Sequence, residues 1–189
     1  MALLINGSEP DNVRVGGVDA QTVRVNGTVV WEAYSGPPSP VIITSSGDYV
    51  AGTDFPANTD ITIQVLGGGG AGGYAEFTNG GAGGQASDLV TATQSISSGT
   101  TVSAVVGGGA GNSDFNGVVA TGGANGANGG CGYGNGCNGE DSAWGSGGSG
   151  GVGFTPATGG GVGAGGGGSA GGTLTNPGSG GRGEIRLSW

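Results

Sequence analysis

The sequence predicts a mainly β protein without significant α-helix, in which a small β sandwich carries a long glycine-rich insertion. Two observations predict this. Apolar and polar side chains alternate over short stretches near both ends of the chain, which is typical of half-buried strands. Glycine accounts for 52 of the 189 residues, whereas about 7% is usual, and only seven of those 52 precede residue 67.

Alternating strands enclose the glycine-rich stretch. Residues 61–66 and 184–189 each place an apolar side chain at every second position, so each strand has one face for a core. Because both ends of the glycine-rich stretch are attached to one sandwich, it is expected to be ordered. Further strands are predicted at residues 41–44, 47–50, 89–93 and 101–106.

Residues 1–36 are expected to form a separate β segment. The pair Asn26-Gly27 predicts a two-residue hairpin, because both central residues of a type I′ turn need positive φ. A unit this short buries too little apolar surface to be stable alone, so we expect it to pack on a partner. The proline-rich residues 37–40 are expected to be a stiff linker. The attachment residues expected in this segment are Val23, Val25, Val29 and Trp31.

We assign residues 41–111 and 182–189 to the sandwich, and residues 112–181 to a glycine-rich array with recognition loops. Extended glycine chains adopt a threefold helix of the polyproline II type, which has no internal hydrogen bonds. Side by side, such helices can satisfy one another's N–H and C=O groups, provided that no Cβ atom separates them. The array is therefore predicted to be a bundle of polyglycine II helices, with the other residue types at turns and on the outer face.

The charge distribution excludes several partners. The net charge is −9, with four arginines and no lysine or histidine. Residues 25–181 contain no cation at all. Nucleic acids and anionic lipid surfaces both require cations, so neither is an expected partner. No signal peptide and no stretch of about 20 apolar residues is recognised, so we expect no membrane insertion.

Several short motifs of enzymes occur, and each lacks its context. Gly67-x-Gly69-x-x-Gly72 is not followed by the helix that a dinucleotide site needs. Gly147-x-Ser149-x-Gly151 matches a nucleophile elbow, but the chain has no histidine to act as the base. The adjacent Glu140 and Asp141 fit a solvated loop better than a glycosidase pair or a calcium site. We predict no catalytic residue, no cofactor and no metal site.

Several segments together resemble the glycine-rich domain of phage tail-fibre and tail-tip proteins. They are residues 60–74 (DITIQVLGGGGAGGY), 80–91 (GGAGGQASDLVT), 97–111 (SSGTTVSAVVGGGAG) and 120–127 (ATGGANGA). The closing segment 180–189 (GGRGEIRLSW) looks like the terminal strand of that family. Residues 23–33 (VRVNGTVVWEA) are similar to short β segments of phage tail proteins. The style of the glycine runs also resembles the adhesins that cap the long tail fibres of T-even-type phages.

This resemblance implies a virion protein of the phage tail, a tail-fibre or tail-tip adhesin that attaches the particle to its host. It implies that the N-terminal segment binds other tail or fibre proteins and that the chain forms a homotrimer. The expected receptor is a cell-surface glycan or an outer-membrane protein. Two alternatives remain open, namely a non-adhesive decoration of the head fibre, tail or baseplate, and a glycine-rich protein of a bacterial surface.

Single large or polar residues that interrupt the glycine array are the candidate receptor contacts. The candidates are Tyr133, Trp144, Phe154, Phe115 and Asn135. Aromatic side chains on exposed loops supply contact area at low entropic cost, although they could instead cap the bundle or line a subunit interface. Cys131 and Cys137 flank Tyr133, either as free thiols or as a disulfide that would hold Tyr133 on a tight loop.

Overall fold

The computed structural model describes residues 14–15, 18–19, 22–26, 28–32, 34–172 and 175–189. Its regular secondary structure in this part of the chain is β-strand, which confirms the predicted mainly β class. No helix among these residues is long and apolar enough to cross a membrane. The strands are β1 (Arg14–Val15), β2 (Val18–Asp19), β3 (Thr22–Val25), β4 (Thr28–Glu32), β5 (Val41–Ile43), β6 (Gly47–Val50), β7 (Asp60–Leu66), β8 (Leu89–Ser95), β9 (Thr101–Val105), β10 (Ser113–Phe115), β11 (Val118–Ala120) and β12 (Glu184–Ser188).

Two small hairpins precede the sandwich. β3 and β4 pair with Val25 opposite Thr28, and Asn26 between them has a φ of 51°, as the predicted turn requires. β1 pairs with β2 in a second, shorter hairpin. In the described residues, neither hairpin is hydrogen-bonded into the sheets of the sandwich.

The expected attachment residues of this region are only partly described. Val23 is half-buried and Val25 is exposed. The side chains of Val29 and Trp31, like the whole of Gly27, lie outside the described residues. Attachment through this segment therefore stays a prediction.

Two four-stranded antiparallel sheets form the sandwich, with strand orders β11-β10-β9-β6 and β5-β12-β7-β8. Their facing sides are apolar, because inward residues alternate with outward polar ones, as in β7 with its buried Ile61, Ile63 and Val65. The rings of Phe55 and Phe115 meet edge to face at 5.7 Å between centroids and fill the middle of the core.

The boundary between sandwich and array differs from the predicted one. Residues 113–120 were expected in the array, but they form β10 and β11 of the sandwich. Asn116 and Gly117 have φ values of 51° and 80°, so they close a two-residue hairpin in which Phe115 pairs with Val118. Conversely, the glycine runs 67–73 and 80–87, which were assigned to the sandwich, lie in the array.

The glycine-rich part is a bundle of extended segments that hydrogen-bond to one another. Its central segment, residues 163–171, is buried from 163 to 170. Every third N–H group of this segment donates to segment 134–141, and others in the same three-residue register donate to segment 67–73. The remaining segments that exchange hydrogen bonds with it are 80–87, 145–152, 155–161 and 175–183. A three-residue register is the repeat of polyglycine II, and we interpret the segments as such helices.

The close approach of these segments requires glycine. A Cβ atom built on Gly168 would lie 1.9 Å from the carbonyl oxygen of Gly81, and one on Gly165 would lie 1.8 Å from that of Gly84. Such contacts are impossible for real atoms, so a side chain would push the segments apart and break their hydrogen bonds. The composition of the array follows from this backbone packing.

Side-chain oxygens complete the hydrogen bonding at the outer face of the bundle. The Oδ1 atom of Asn125 accepts the N–H of Ala71 at 2.8 Å, and Oδ1 of Asn138 accepts the N–H of Gly150 at 2.8 Å. Both asparagines are exposed. Each therefore supplies an acceptor where the bundle has no further segment, because the amide oxygen resembles a peptide carbonyl.

The sandwich holds the bundle at one end and the N-terminal linker at the other. β7 leads directly into segment 67–73, and segment 175–183 leads into β12. At the opposite end of β12, the N–H of Trp189 donates to Oγ of Ser39 at 3.3 Å. In space, the sandwich therefore lies between the linker and the glycine bundle.

We expect Gly168→Ala to lower the free energy of unfolding by at least about 2 kcal/mol, because overpacking of a close contact costs this much or more. The measurement is urea unfolding followed by fluorescence. The matched control is Gly108→Ala, since a Cβ built on Gly108 meets nothing within 4 Å. That variant should unfold like the parent, or be more stable by up to about 1 kcal/mol. An equal loss in both variants would contradict the requirement for close approach.

Candidate functional site

The end of the bundle away from the sandwich consists of adjoining loops, which we call the distal loops: residues 74–79, 128–134 and 152–155. The N–H of Gly134 donates to the carbonyl of Thr78 at 2.9 Å and joins the first two loops. The N–H of Gly136 donates to the carbonyl of Gly151 at 2.9 Å and brings the third loop alongside. The distal loops therefore present one continuous surface.

Large apolar side chains project from this surface without covering one another. Phe77 is 97% exposed, Phe154 91% and Tyr133 85%. We call these three residues, with the exposed Val152, the aromatic tip. Burying an aromatic side chain of this size is worth about 2 kcal/mol or more, so several fully exposed ones on adjoining loops mark a contact surface.

Phe77 occupies a strained backbone position. Glu76 and Asn79 exchange backbone hydrogen bonds of 3.0 and 2.9 Å, which close a two-residue turn, and Phe77 in this turn has a φ of 51°. The left-handed region disfavours bulky residues, and glycine would relieve the strain. Strain of this kind, held in place by the surrounding hydrogen bonds, is typical of functional positions.

Phe154 is presented by a turn of similar design. Val152 and Thr155 exchange backbone hydrogen bonds of 3.2 and 2.9 Å around Gly153-Phe154. Here the positive φ, 55°, falls on Gly153, so the phenylalanine itself is unstrained. Both turns present an exposed phenylalanine ring at the distal end of the bundle.

Cys131 and Cys137 form a disulfide, with their Cα atoms 5.7 Å apart. Of the two states left open by the sequence, the structure therefore contains the bridged one. The loop that it closes carries Tyr133 and Asn135, and both side chains are exposed. Backbone hydrogen bonds attach both ends of this loop to segment 80–87 of the bundle. Tyr133 is thus held outward on a covalently closed loop, as expected for a bridged pair.

The aromatic tip is nearly free of charge. Glu76 is the one ionisable carboxylate in the distal loops, and these loops contain no arginine or lysine. In the described part of the chain, no group of three or more histidine, cysteine, aspartate or glutamate side chains is placed to hold a metal ion. Apart from contacts of Glu76, those at the distal loops are therefore apolar or are hydrogen bonds of neutral groups.

Phe115, one of the candidate receptor contacts, does not lie on this surface. It is fully buried in β10 and packs against Phe55 in the sandwich core. The expectation that Phe115 contacts a receptor is corrected by this position. The physical reason is the hairpin at Asn116-Gly117, which turns the phenylalanine into the core instead of leaving it on a loop.

Trp144 lies at the other end of the bundle from Tyr133. It is half-buried in the turn that faces the sandwich, and the guanidinium carbon of Arg186 lies 3.9 Å from the centre of its ring. Nε of Arg186 also donates to Oε1 of the buried Glu184 at 2.9 Å. The cation–π contact joins the bundle to β12, and the ion pair holds the Arg186 side chain within that strand. Trp144 therefore stabilises the junction and is not grouped with the tip.

Phe77, Val152 and the exposed Tyr74 were not singled out from the sequence. The sequence does contain a signal for Phe77 and Tyr74. Tyr74 and Phe77 interrupt two glycine runs, just as Tyr133 and Phe154 do elsewhere. They were overlooked because residues 74–79 were assigned to the sandwich.

Comparison with known proteins adds no family. No protein-family model matches the chain, and no curated protein matches it significantly. The function is therefore inferred from the resemblance stated above and from the geometry of the distal loops.

Removing the disulfide should loosen the Tyr133 loop and leave the bundle intact. In Cys131→Ser/Cys137→Ser, we expect hydrogen exchange of the Gly134 amide to accelerate about thirtyfold, since a loop of this length contributes about 2 kcal/mol. The comparison amide is that of Gly166 in the central segment, which should exchange at the parent rate. Unchanged exchange at Gly134 would show that backbone hydrogen bonds alone hold the loop.

Truncating an aromatic residue should lower the free energy of unfolding at the sandwich end of the bundle but not at the distal end. Trp144→Ala should lower the free energy of unfolding by about 1–3 kcal/mol, because it removes packing and the contact with Arg186. Phe154→Ala should leave it within about 0.5 kcal/mol of the parent, since Phe154 is almost fully exposed. Urea unfolding of both variants measures this. Equal stability of the two would contradict the role of Trp144 at the junction.

Proposed function

We propose that the protein is a structural component of a tailed-phage virion, a tail-fibre or tail-tip adhesin that binds the host receptor through its aromatic tip. The observation that carries the proposal is the cluster of Phe77, Tyr133 and Phe154, each at least 85% exposed on adjoining loops. Residues of this kind are the usual anchors of protein recognition surfaces, because they bury much area while few rotatable bonds are fixed.

The bundle beneath the tip supports this function by being stiff. Its segments are connected by backbone hydrogen bonds in several directions, and its centre is buried. With about 3.1 Å per residue, segment 163–171 spans roughly 25 Å from the sandwich to the tip. Loops mounted on such a scaffold lose little conformational entropy on binding, so more of the contact energy is available as affinity.

The polarity of the chain is also that expected of an adhesin. The linker lies at the end of the sandwich away from the bundle, and the aromatic tip lies at the far end of the bundle. We propose that the N-terminal segment binds other tail or fibre proteins while the tip faces the host. Several copies per particle, for instance in homotrimers, would convert weak single contacts into firm attachment.

The low charge of the tip restricts the classes of receptor that it can bind. Because the distal loops carry no cation and a single carboxylate, recognition of strongly charged groups is disfavoured. An outer-membrane protein or a neutral part of a cell-surface glycan fits this surface. Binding does not require the protein to catalyse a reaction, and we propose no enzymatic step.

The test is binding of the purified, labelled protein to host cells, together with its ability to block phage adsorption. Phe77→Ala, Tyr133→Ala and Phe154→Ala should each weaken binding about tenfold or more, because anchor residues contribute about 2 kcal/mol each. The control is Val119→Ala, which truncates an exposed apolar residue on the outer face of the sandwich and should bind like the parent.

Two results would count against the proposal. Saturable binding that all three tip variants retain would place the contact surface elsewhere on the molecule. A folded protein that binds no strain of the host range would favour a non-adhesive decoration of the particle.

A further inference from the structure

A groove of about 360 Å³ lies on the flank of the bundle, between segments 67–73, 121–128 and 175–183. Its volume falls within the range of small-ligand sites, near the lower end. Glycine backbone forms the floor, and no charged side chain lines it. The side chains on its walls that matter for recognition are Tyr74, Asn125, Asn128, Pro177 and Ser179.

Two asparagines line this groove, and the amide oxygen of each is held by a backbone N–H group. Oδ1 of Asn125 accepts the N–H of Ala71 at 2.8 Å, and Oδ1 of Asn128 accepts the N–H of Tyr74 at 3.0 Å. Because each oxygen is held in this way, the plane of each amide is set. Neither Nδ2 group donates to a described residue, and both side chains are exposed. The two donors lie three residues apart, about 9 Å along an extended threefold chain.

The backbone of the floor is already hydrogen-bonded within the bundle. The N–H groups of Gly72, Gly126 and Gly178 donate to carbonyls of neighbouring segments. A bound peptide in extended conformation needs alternating donors and acceptors from the backbone it lies on. Here the unused side-chain groups are chiefly donors, so the groove favours a ligand rich in oxygen acceptors.

Tyr74 and Pro177 supply the apolar part of the site. The ring of Tyr74 is 57% exposed, and Pro177 is half-buried. An aromatic ring offers a flat apolar face with a polar rim, which suits the C–H face of a pyranose ring and its hydroxyl groups. The exposed hydroxyl of Ser179 can both donate and accept.

We propose that this flank groove binds a neutral saccharide, with the Nδ2 groups of Asn125 and Asn128 donating to sugar oxygens and Tyr74 packing against a sugar ring. An anionic ligand would lack a cation and a cationic ligand would lack a carboxylate, because no charged side chain lines the groove. This inference deepens the proposed adhesin function. It rests on that function in one respect, because the host receptor would supply the glycan.

The test is a titration of the ¹⁵N-labelled full chain with maltotetraose, cellotetraose and chitotetraose, followed by amide chemical shifts. We expect at least one of them to shift the amides of Gly72, Gly73, Gly126 and Gly178 saturably, in the millimolar range. Asn128→Asp keeps the oxygen that accepts from Tyr74 but removes the donor, so binding should weaken at least tenfold. Tyr74→Ala should weaken it to a similar degree.

Asn138→Asp is the matched control. Its Oδ1 accepts the N–H of Gly150 at 2.8 Å in the same manner, and Asn138 does not line the groove. This variant introduces the same charge and should bind within twofold of the parent. If it weakens binding as much as Asn128→Asp does, the donor of Asn128 has no specific role and the proposal is overturned.

Other outcomes are equally decisive. The proposal fails if none of the three saccharides shifts the floor amides at up to about 20 mM, or if the shifts are confined to Phe77 and Tyr133. Binding of an extended peptide, but of no saccharide, to the same amides would also overturn it. Saccharide binding to the floor amides by a parent protein that binds no host cells would support the groove and refute the adhesin.

Discussion

The direct contact of one glycine backbone with another is the constraint on which the rest of the structure depends. Segments can exchange hydrogen bonds in several directions only where no Cβ atom intervenes, as at Gly165 and Gly168 of the central segment. Ordering a glycine-rich chain costs much conformational entropy. Only the hydrogen bonds of the whole bundle, taken together, offset that cost. The sandwich provides the fixed ends that make this possible, since β7 and β12 attach the first and last segments. The aromatic tip lies at the far end because turns between segments lie there, and large side chains fit at these turns.

The same constraint explains why the proposed contact surfaces are confined to the turns and the outer face. Inside the bundle every position is reserved for small residues, so large side chains find room only at the ends and on the outer face. At the distal end they are exposed, as Phe77 is, and at the sandwich end they pack, as Trp144 does against Arg186. The outer face carries asparagines that replace missing carbonyls, and two of these line the flank groove. Exposed and packed aromatic side chains are therefore separated by position along the axis of the bundle.

Much of the fold was predictable from local patterns. Which of the candidate receptor-contact residues lie together in space was not. Alternation identified β7 and β12, and the Asn26-Gly27 pair identified the first long hairpin, because both signals are local. The prediction for Phe115 was wrong because Asn116-Gly117, an equally local turn signal, makes residues 113–120 a hairpin of the sandwich. Trp144 and Tyr133 were grouped because all turns between glycine runs look alike. Since successive segments reverse direction, counting them from the sandwich would have placed these two residues at opposite ends.

The position of the central segment along the chain has a consequence for assembly. Residues 163–171 are bonded to segments that mostly precede them by tens of residues, such as 67–73 and 80–87. During synthesis those earlier segments emerge before the central segment that they surround. Contacts between residues so far apart in the sequence form slowly. Segments 67–73 and 80–87 can pair with each other early, as Gly73 does with Ala82, but their groups that bond to the central segment stay solvated until it is made. Completion of the bundle therefore requires the closure of long loops around the central segment, which carries a larger entropic cost than forming local structure.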